Sequence, residues 1–234
     1  MIMDTLKKTI MTAAVIVLAA VSCEKSNGTE NNVPETEPPV MERPVELETA
    51  VYTAYPSGVN ACVDSYLTLE FKSAPTIGQS GQIRILDENG SAVDIIEMKD
   101  IAASHSERPQ MTSASLFTTG MDAIGSSATG YYRIVYYDPV KVEGNSVTVR
   151  LHTGKLDFGR TYSVEVGEGA ISADGFSGIG AGEWTFTVMP QPEKDAEVTV
   201  GSRDCDFMTV QGAVNFANSC GQSHEMVISV APGI

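Results

Sequence analysis

The side chains of this 234-residue chain that could do chemistry are four cysteines, three histidines and a set of carboxylates in turn-like stretches. Cys23, Cys62, Cys205 and Cys220 are scattered, and no two have the short spacing of a metal-binding pair. His105, His152 and His224 stand far apart, outside any ligand-type cluster, so each reads as a surface or loop histidine rather than as a base or metal ligand. Asp87, Glu88, Asp122 and Asp174 would hold calcium if their loops converged, because hard cations take carboxylate oxygens; apart, they are solvated turn residues. Gly178-Ile179-Gly180-Ala181-Gly182 has the glycine content of a phosphate cradle, but no helix pattern follows to aim N–H groups at a ligand, and it reads as a loop. Trp184, the only tryptophan, sits where a strand faces a core, a place for packing rather than sugar stacking. The pattern supplies no catalytic set, no metal site and no cofactor.

The elements that carry these residues are strands. From Leu47 to Val188, short β-rich runs alternate with Gly, Asn, Asp and Ser turns. Tyr66 to Phe71 alternates, with Leu67, Leu69 and Phe71 on one face. Gln82 to Leu86 and Ser91 to Met98 flank Asp87-Glu88-Asn89-Gly90, a hairpin turn whose glycine can take positive φ. A first strand over Leu47 to Ala54, with Tyr131 to Tyr137, Ser146 to Leu151, Thr161 to Val166 and Glu183 to Val188, completes a set that fits one β-sandwich. Leu67, Leu69, Phe71, Val147, Val149, Tyr162, Val164, Trp184 and Phe186 are its predicted core. Residues 101 to 130 break the rhythm and read as a polar excursion.

Several landmarks resemble the bacterial Ig-like domain of the S-layer protein type. Pro56-Ser57-Gly58-Val59 opens the domain in that reading; Leu67 to Phe71 and Ala74-Pro75 follow as a strand and its exit. Leu156-Asp157-Phe158-Gly159-Arg160-Thr161 precedes the tyrosine strand Tyr162 to Val166, and Asp174-Gly175 and Trp184-Thr185-Phe186-Thr187 close the pattern. These motifs are structural, so the resemblance implies a spacer or binding module over residues 46–190, followed by a linker at 191–197.

The last stretch reads differently. Val198-Thr199-Val200 is a short strand; Val210, Ala213, Val214 and Ala217 then fall at helical spacing, with Thr209 placed to cap the helix and Gly221 to end it. A strand over Met226 to Val230 runs into the turn Ala231-Pro232-Gly233. This order resembles the start of the pectinesterase (pectin methylesterase) family: Phe207, Thr209, Val210, Ala213 and Val214 match the family's helix, and Pro232-Gly233 its turn. The turn Gly201-Ser202-Arg203-Asp204-Cys205 departs from the family pattern. The resemblance implies that 198–234 is the N-terminal cap and first coil of a right-handed parallel β-helix. It also implies that the catalytic Gln, Asp and Arg positions lie on coils beyond Ile234, so none falls in this chain. The helix between Cys205 and Cys220 would hold its ends about 14 Å apart, against the roughly 7 Å that a disulfide spans, so free thiols are predicted.

At the other end, Lys7 and Lys8 precede an apolar run from Ile10 to Val21, too short for the roughly 20 residues of a membrane span. Leu18-Ala19-Ala20-Val21-Ser22-Cys23 resembles a lipobox, although Ala20 stands where leucine is usual. The resemblance implies a signal peptide over residues 1–22, diacylation of Cys23, and an exported protein held by its lipid at a bacterial outer membrane or cell surface. Residues 23–45 form an acidic tether in which Pro34, Pro38, Pro39 and Pro44 interrupt any helix.

Fifteen basic and thirty acidic residues give a net charge of −15, which has the wrong sign for nucleic acid. It also opposes polygalacturonate, itself a polyanion. The fold class expected is all-β, an Ig-like β-sandwich followed by an incomplete β-helix. Two functions remain open. One is the N-terminal part of a surface-anchored pectinesterase-like lipoprotein, with the membrane and pectin or another plant polysaccharide as partners. The other is a non-catalytic Ig-like lipoprotein for adhesion or glycan binding.

Overall fold

The computed structural model describes residues 42–101, 119–126, 131–203, 205–221 and 225–232. The chain is all-β, with one short helix and a single helical turn among fifteen strands of the described residues. In order, they are β1 (Val45–Glu48), β2 (Tyr52–Ala61), β3 (Leu67–Phe71), β4 (Thr76–Ile77), β5 (Gln82–Asp87), β6 (Ala92–Glu97) and the turn α1 (Met98–Ile101). Next come β7 (Met121–Ser126), β8 (Tyr131–Tyr136), β9 (Val140–Glu143), β10 (Ser146–Val149), β11 (Thr161–Val166), β12 (Ile171–Ser172) and β13 (Ile179–Val188). A second compact unit, which begins at Pro192, holds β14 (Glu197–Val200), α2 (Val210–Cys220) and β15 (Val227–Val230).

The main sheet runs β6-β5-β11-β13-β2-β3-β10-β9, with β1 added to β2. The long strand β2 is its pivot. Tyr52 to Tyr55 pair antiparallel with β3, whereas Gly58 and Ala61 pair parallel with Phe186 and Val188 of β13. Pro56, between the two halves, has no N–H to give either neighbour, and its carbonyl instead accepts the indole N–H of Trp184 at 2.6 Å. The sheet curls about this point so that both halves face one core. Leu67, Leu69, Phe71, Val147 and Val149 from one half meet Ile83, Ile85, Ile96, Tyr162, Val164, Trp184 and Phe186 from the other. All nine residues predicted for the core are buried in it.

The β5–β6 hairpin forms at the predicted turn. The Asp87 carboxylate accepts the N–H groups of Asn89 and Ser91, and Gly90 takes φ +77°. Other boundaries move. The stretch expected as one strand over Leu47 to Ala54 is two strands. Thr49 reverses the chain there: its hydroxyl accepts the N–H groups of Val51 and Tyr52 and donates to the carbonyl of Tyr52. Pro56 to Val59, expected to open the domain, lies inside β2. Most of the glycine-rich stretch expected as a loop, from Ile179 on, belongs to β13, where Ile179 pairs with Val166. Within the expected polar excursion, β7 pairs antiparallel with β8, and Met121 is fully buried.

In the second unit β14 and β15 lie parallel, Val198 opposite Ile228 and Val200 opposite Val230. Parallel neighbours cannot be joined by a tight hairpin, and α2 lies in the connection. Thr209 caps that helix, its hydroxyl accepting the N–H of Gly212 at 2.9 Å, and Gly221 ends it. The buried stripe is Ala213, Phe216 and Cys220; of the apolar residues at helical spacing, Val210, Ala213, Val214 and Ala217, it includes Ala213 alone, and Val210 is exposed. The reason is Phe216, whose ring lies 5.6 Å from that of the fully buried Phe207 and sets the rotation of the helix.

Candidate functional site

Cys23, His105 and His224 lie outside the described residues. Cys62 and Cys220 are buried, Cys205 is half-buried, and none of the three is in a disulfide. Asp87 is spent on the β5–β6 turn, and its N–H donors hold the carboxyl below the usual range, Ser91 most strongly. Glu88 pairs with Arg160 at 2.9 Å, and Asp174 accepts the Ser73 hydroxyl. Among the described residues no three His, Cys, Asp or Glu side chains meet in a way that could hold a metal ion. Trp184 is 1 % exposed and packs in the core.

The two remaining residues, His152 and Asp122, do not behave as surface groups. His152 is buried, and its Nδ1 lies 2.6 Å from Oδ1 of Asp94, a carboxylate with no exposed surface. An ionised carboxylate only accepts, so opposite an ionised Asp94 it is Nδ1 that donates, and the contact holds the ring orientation. Asp94 also accepts the backbone N–H groups of His152 and Ile95, both at 2.9 Å. Next to it, Asp122 on β7 accepts the backbone N–H and the hydroxyl of Thr153. Two acids from separate strands thus grip successive residues of the turn after β10. Tyr137 meets His152 edge-on, and the Arg150 guanidinium lies 4.3 Å from the Tyr137 ring centroid.

This is the orientation half of an acid–base pair. General-base catalysis requires that the second ring nitrogen reach a substrate proton, and a ring with 3 % of its side chain exposed beside a carboxylate with none meets no substrate in this conformation. Its effect is positional: it ties β6 to the turn after β10. The sequence carried one sign of it. In Ala92 to Glu97, Asp94 has the same parity as the core residue Ile96, so an acid was bound to point inward. The partner, 58 residues away, had no local signal.

A second polar feature lies on the outward face of the sheet, where Arg84 meets Glu165 at 3.0 Å and Gln82 meets Glu97 at 2.5 Å in a groove. The chain matches no family model, no curated protein and no solved structure.

Proposed function

We propose that the chain is the N-terminal part of a lipid-anchored surface protein: Cys23 holds it to a membrane, an Ig-like sandwich serves as spacer, and the β14–α2–β15 unit begins a pectinesterase-like β-helix. The observation that carries this reading is the parallel, in-register pairing of β14 with β15 around an interposed helix. Parallel strands stacked in register are what successive coils of a parallel β-helix provide, and each coil covers the apolar face of the last.

Two features support the spacer. In chain order the sheet places β2, β3, β10 and β9 side by side and β6, β5, β11 and β13 side by side, which is the ABED and C′CFG order of an immunoglobulin sandwich. Tyr162, at the start of the strand in the F position, accepts the N–H of Asp157, five residues upstream, at 2.8 Å. That is the bond of a tyrosine corner, and burial pushes its phenol above the usual value.

In this reading the intact protein hydrolyses methyl esters of polygalacturonate, and residues 1–234 supply attachment and reach without the chemistry. The test is methanol release from methylated pectin. The intact cellular product of the coding region should release it, and the 234-residue chain should stay at background. An intact product that is inert on methylated pectin would remove the esterase reading, and turnover by the 234-residue chain would place the chemistry in what is here a scaffold. Growth with a labelled fatty acid tests the anchor separately: Cys23→Ala should abolish the label, and a label retained on that variant would remove it.

A further inference from the structure

The outward face of β6, β5, β11 and β13 carries a groove of about 560 Å³, open to solvent, within the roughly 300–1,000 Å³ of small-molecule sites. Strand alternation makes its lining. Ile83, Ile85, Ile96, Val164 and Val166 point into the core, so Gln82, Arg84, Glu97 and Glu165 must point out. The register then sets them in pairs: Gln82 lies opposite Glu97, and Arg84 opposite Glu165. Gly167 and Gly180 leave the end of the groove without side chains. At Gly167 a Cβ would come within 3.1 Å of the Gln82 carbonyl oxygen, so the backbone there would have to give by a few tenths of an ångström; at Gly180 it would meet nothing closer than the Glu183 carboxylate at 3.4 Å.

The lining selects by chemistry. Each pair is joined through one atom on each side, Arg84 Nη1 to Glu165 Oε2 and Gln82 Nε2 to Glu97 Oε1, while a guanidinium has five N–H donors and a carboxylate two accepting oxygens. Donors and acceptors therefore stand side by side in two neighbouring rows. Lys99 lies 3.8 Å from Glu97, so Arg84 and Lys99 offset Glu97 and Glu165, and Glu183, which accepts the N–H of Gly180 at the groove's end, leaves one negative charge in excess. An anionic ligand would face two carboxylates on a chain of net charge −15. A cation would find Glu97 and Glu165 already paired, and the described lining residues include no aromatic side chain for an apolar ligand. A vicinal diol matches what remains, since one hydroxyl can donate to a carboxylate while its neighbour accepts from the guanidinium or amide beside it.

We propose that this groove binds an uncharged oligosaccharide through adjacent hydroxyl groups. The site does not depend on the esterase reading, and its failure would leave that reading untouched. With no ring among the described lining residues to stack on and one side open, the affinity expected is weak, about millimolar.

The experiment is an amide chemical-shift titration of the full chain with xylohexaose, cellohexaose and mannohexaose, and with hexagalacturonate as the anionic counterpart. At least one uncharged hexasaccharide should give saturable shifts confined to β5, β6, β11 and β13, and hexagalacturonate should give none. Arg84→Ala should weaken binding about tenfold, as expected for one lost charge-assisted hydrogen bond. Gly180→Phe, which fills the groove and leaves both polar pairs intact, should weaken it at least as much; the rest of each spectrum reports that the fold is kept. Absence of shifts with all three uncharged sugars, equal shifts with hexagalacturonate, or binding undiminished in both variants would overturn the proposal.

Discussion

The main sheet and the β14–α2–β15 unit manage their edges in different ways. At the β6 edge of the sheet the outward N–H groups of Ile95 and Glu97 are already taken, by the carboxylate of Asp94 and the hydroxyl of Thr119. At the other edge β9 is only four residues long, and its Lys141 and Glu143 form an ion pair. Short, charged or side-chain-capped edges resist the addition of another strand. In the smaller unit one edge is treated similarly: Asp206 accepts the N–H of Thr199, and Phe207 donates to the carbonyl of Thr199. Among the described residues no strand pairs with the far edge of β15. One region is finished on both sides and the other on one, and the buried sets follow suit. The sheet folds a core around Trp184 and Phe186, whereas the smaller unit rests on Val198, Val200, Phe207, Ala213, Phe216, Cys220 and Ile228.

The largest test of this contrast is a pair of truncations. Phe71→Ala should lower the stability of the sheet by about 3–5 kcal/mol, the usual cost of emptying a buried phenylalanine site. Phe207→Ala should remove the structure of the smaller unit and leave the main unfolding transition in place. A main transition shifted equally by both would mean that the two units fold as one.

Hydrogen exchange sharpens the same contrast without mutation. Amides of β14, α2 and β15 should exchange at least about a hundredfold faster than those of β3, β11 and β13, a gap of about 3 kcal/mol in opening free energy. Equal protection would show that the smaller core is as cooperative as the larger.

Asp94→Asn asks what the capped edge contributes. The amide keeps the shape but loses the charge that three donors share, so the sheet should lose about 1.5–3 kcal/mol, the range for a hydrogen bond to a charged group. Chemical denaturation measures it, and a change within error would mean that Asp94 and His152 are held by packing alone.

The smallest effect is at Asp87. Its folded pKa is depressed, chiefly by the Ser91 N–H, so its contribution is present above the unfolded value of about 3.9 and is lost as pH falls through the folded one. A carboxyl titration by NMR should find its midpoint below the ordinary aspartate value, with the Asn89 and Ser91 amides moving at the same pH. A midpoint at or above that value would mean that the turn is not held by this side chain.

The sequence by itself determined what depends on near neighbours. Alternation at Leu67, Leu69 and Phe71 marks a strand and its buried face, because side chains on a strand change sides at every residue. The hairpin at Asp87 to Gly90 and the Thr209 cap were legible for the same reason: donor and acceptor lie within four residues. Only the tertiary structure decided the rest. β2 changes partner at Pro56, whose carbonyl accepts the indole N–H of Trp184, 128 residues away. The face that α2 buries was set by Phe207 across the unit, so spacing alone misassigned Val210. The glycines from 178 to 182 look like a loop until Val166 offers Ile179 a partner. The Asp94–His152 pair and the groove of Arg84 and Glu165 follow from register, which aligns residues distant in the chain by hydrogen bonds that no local pattern encodes.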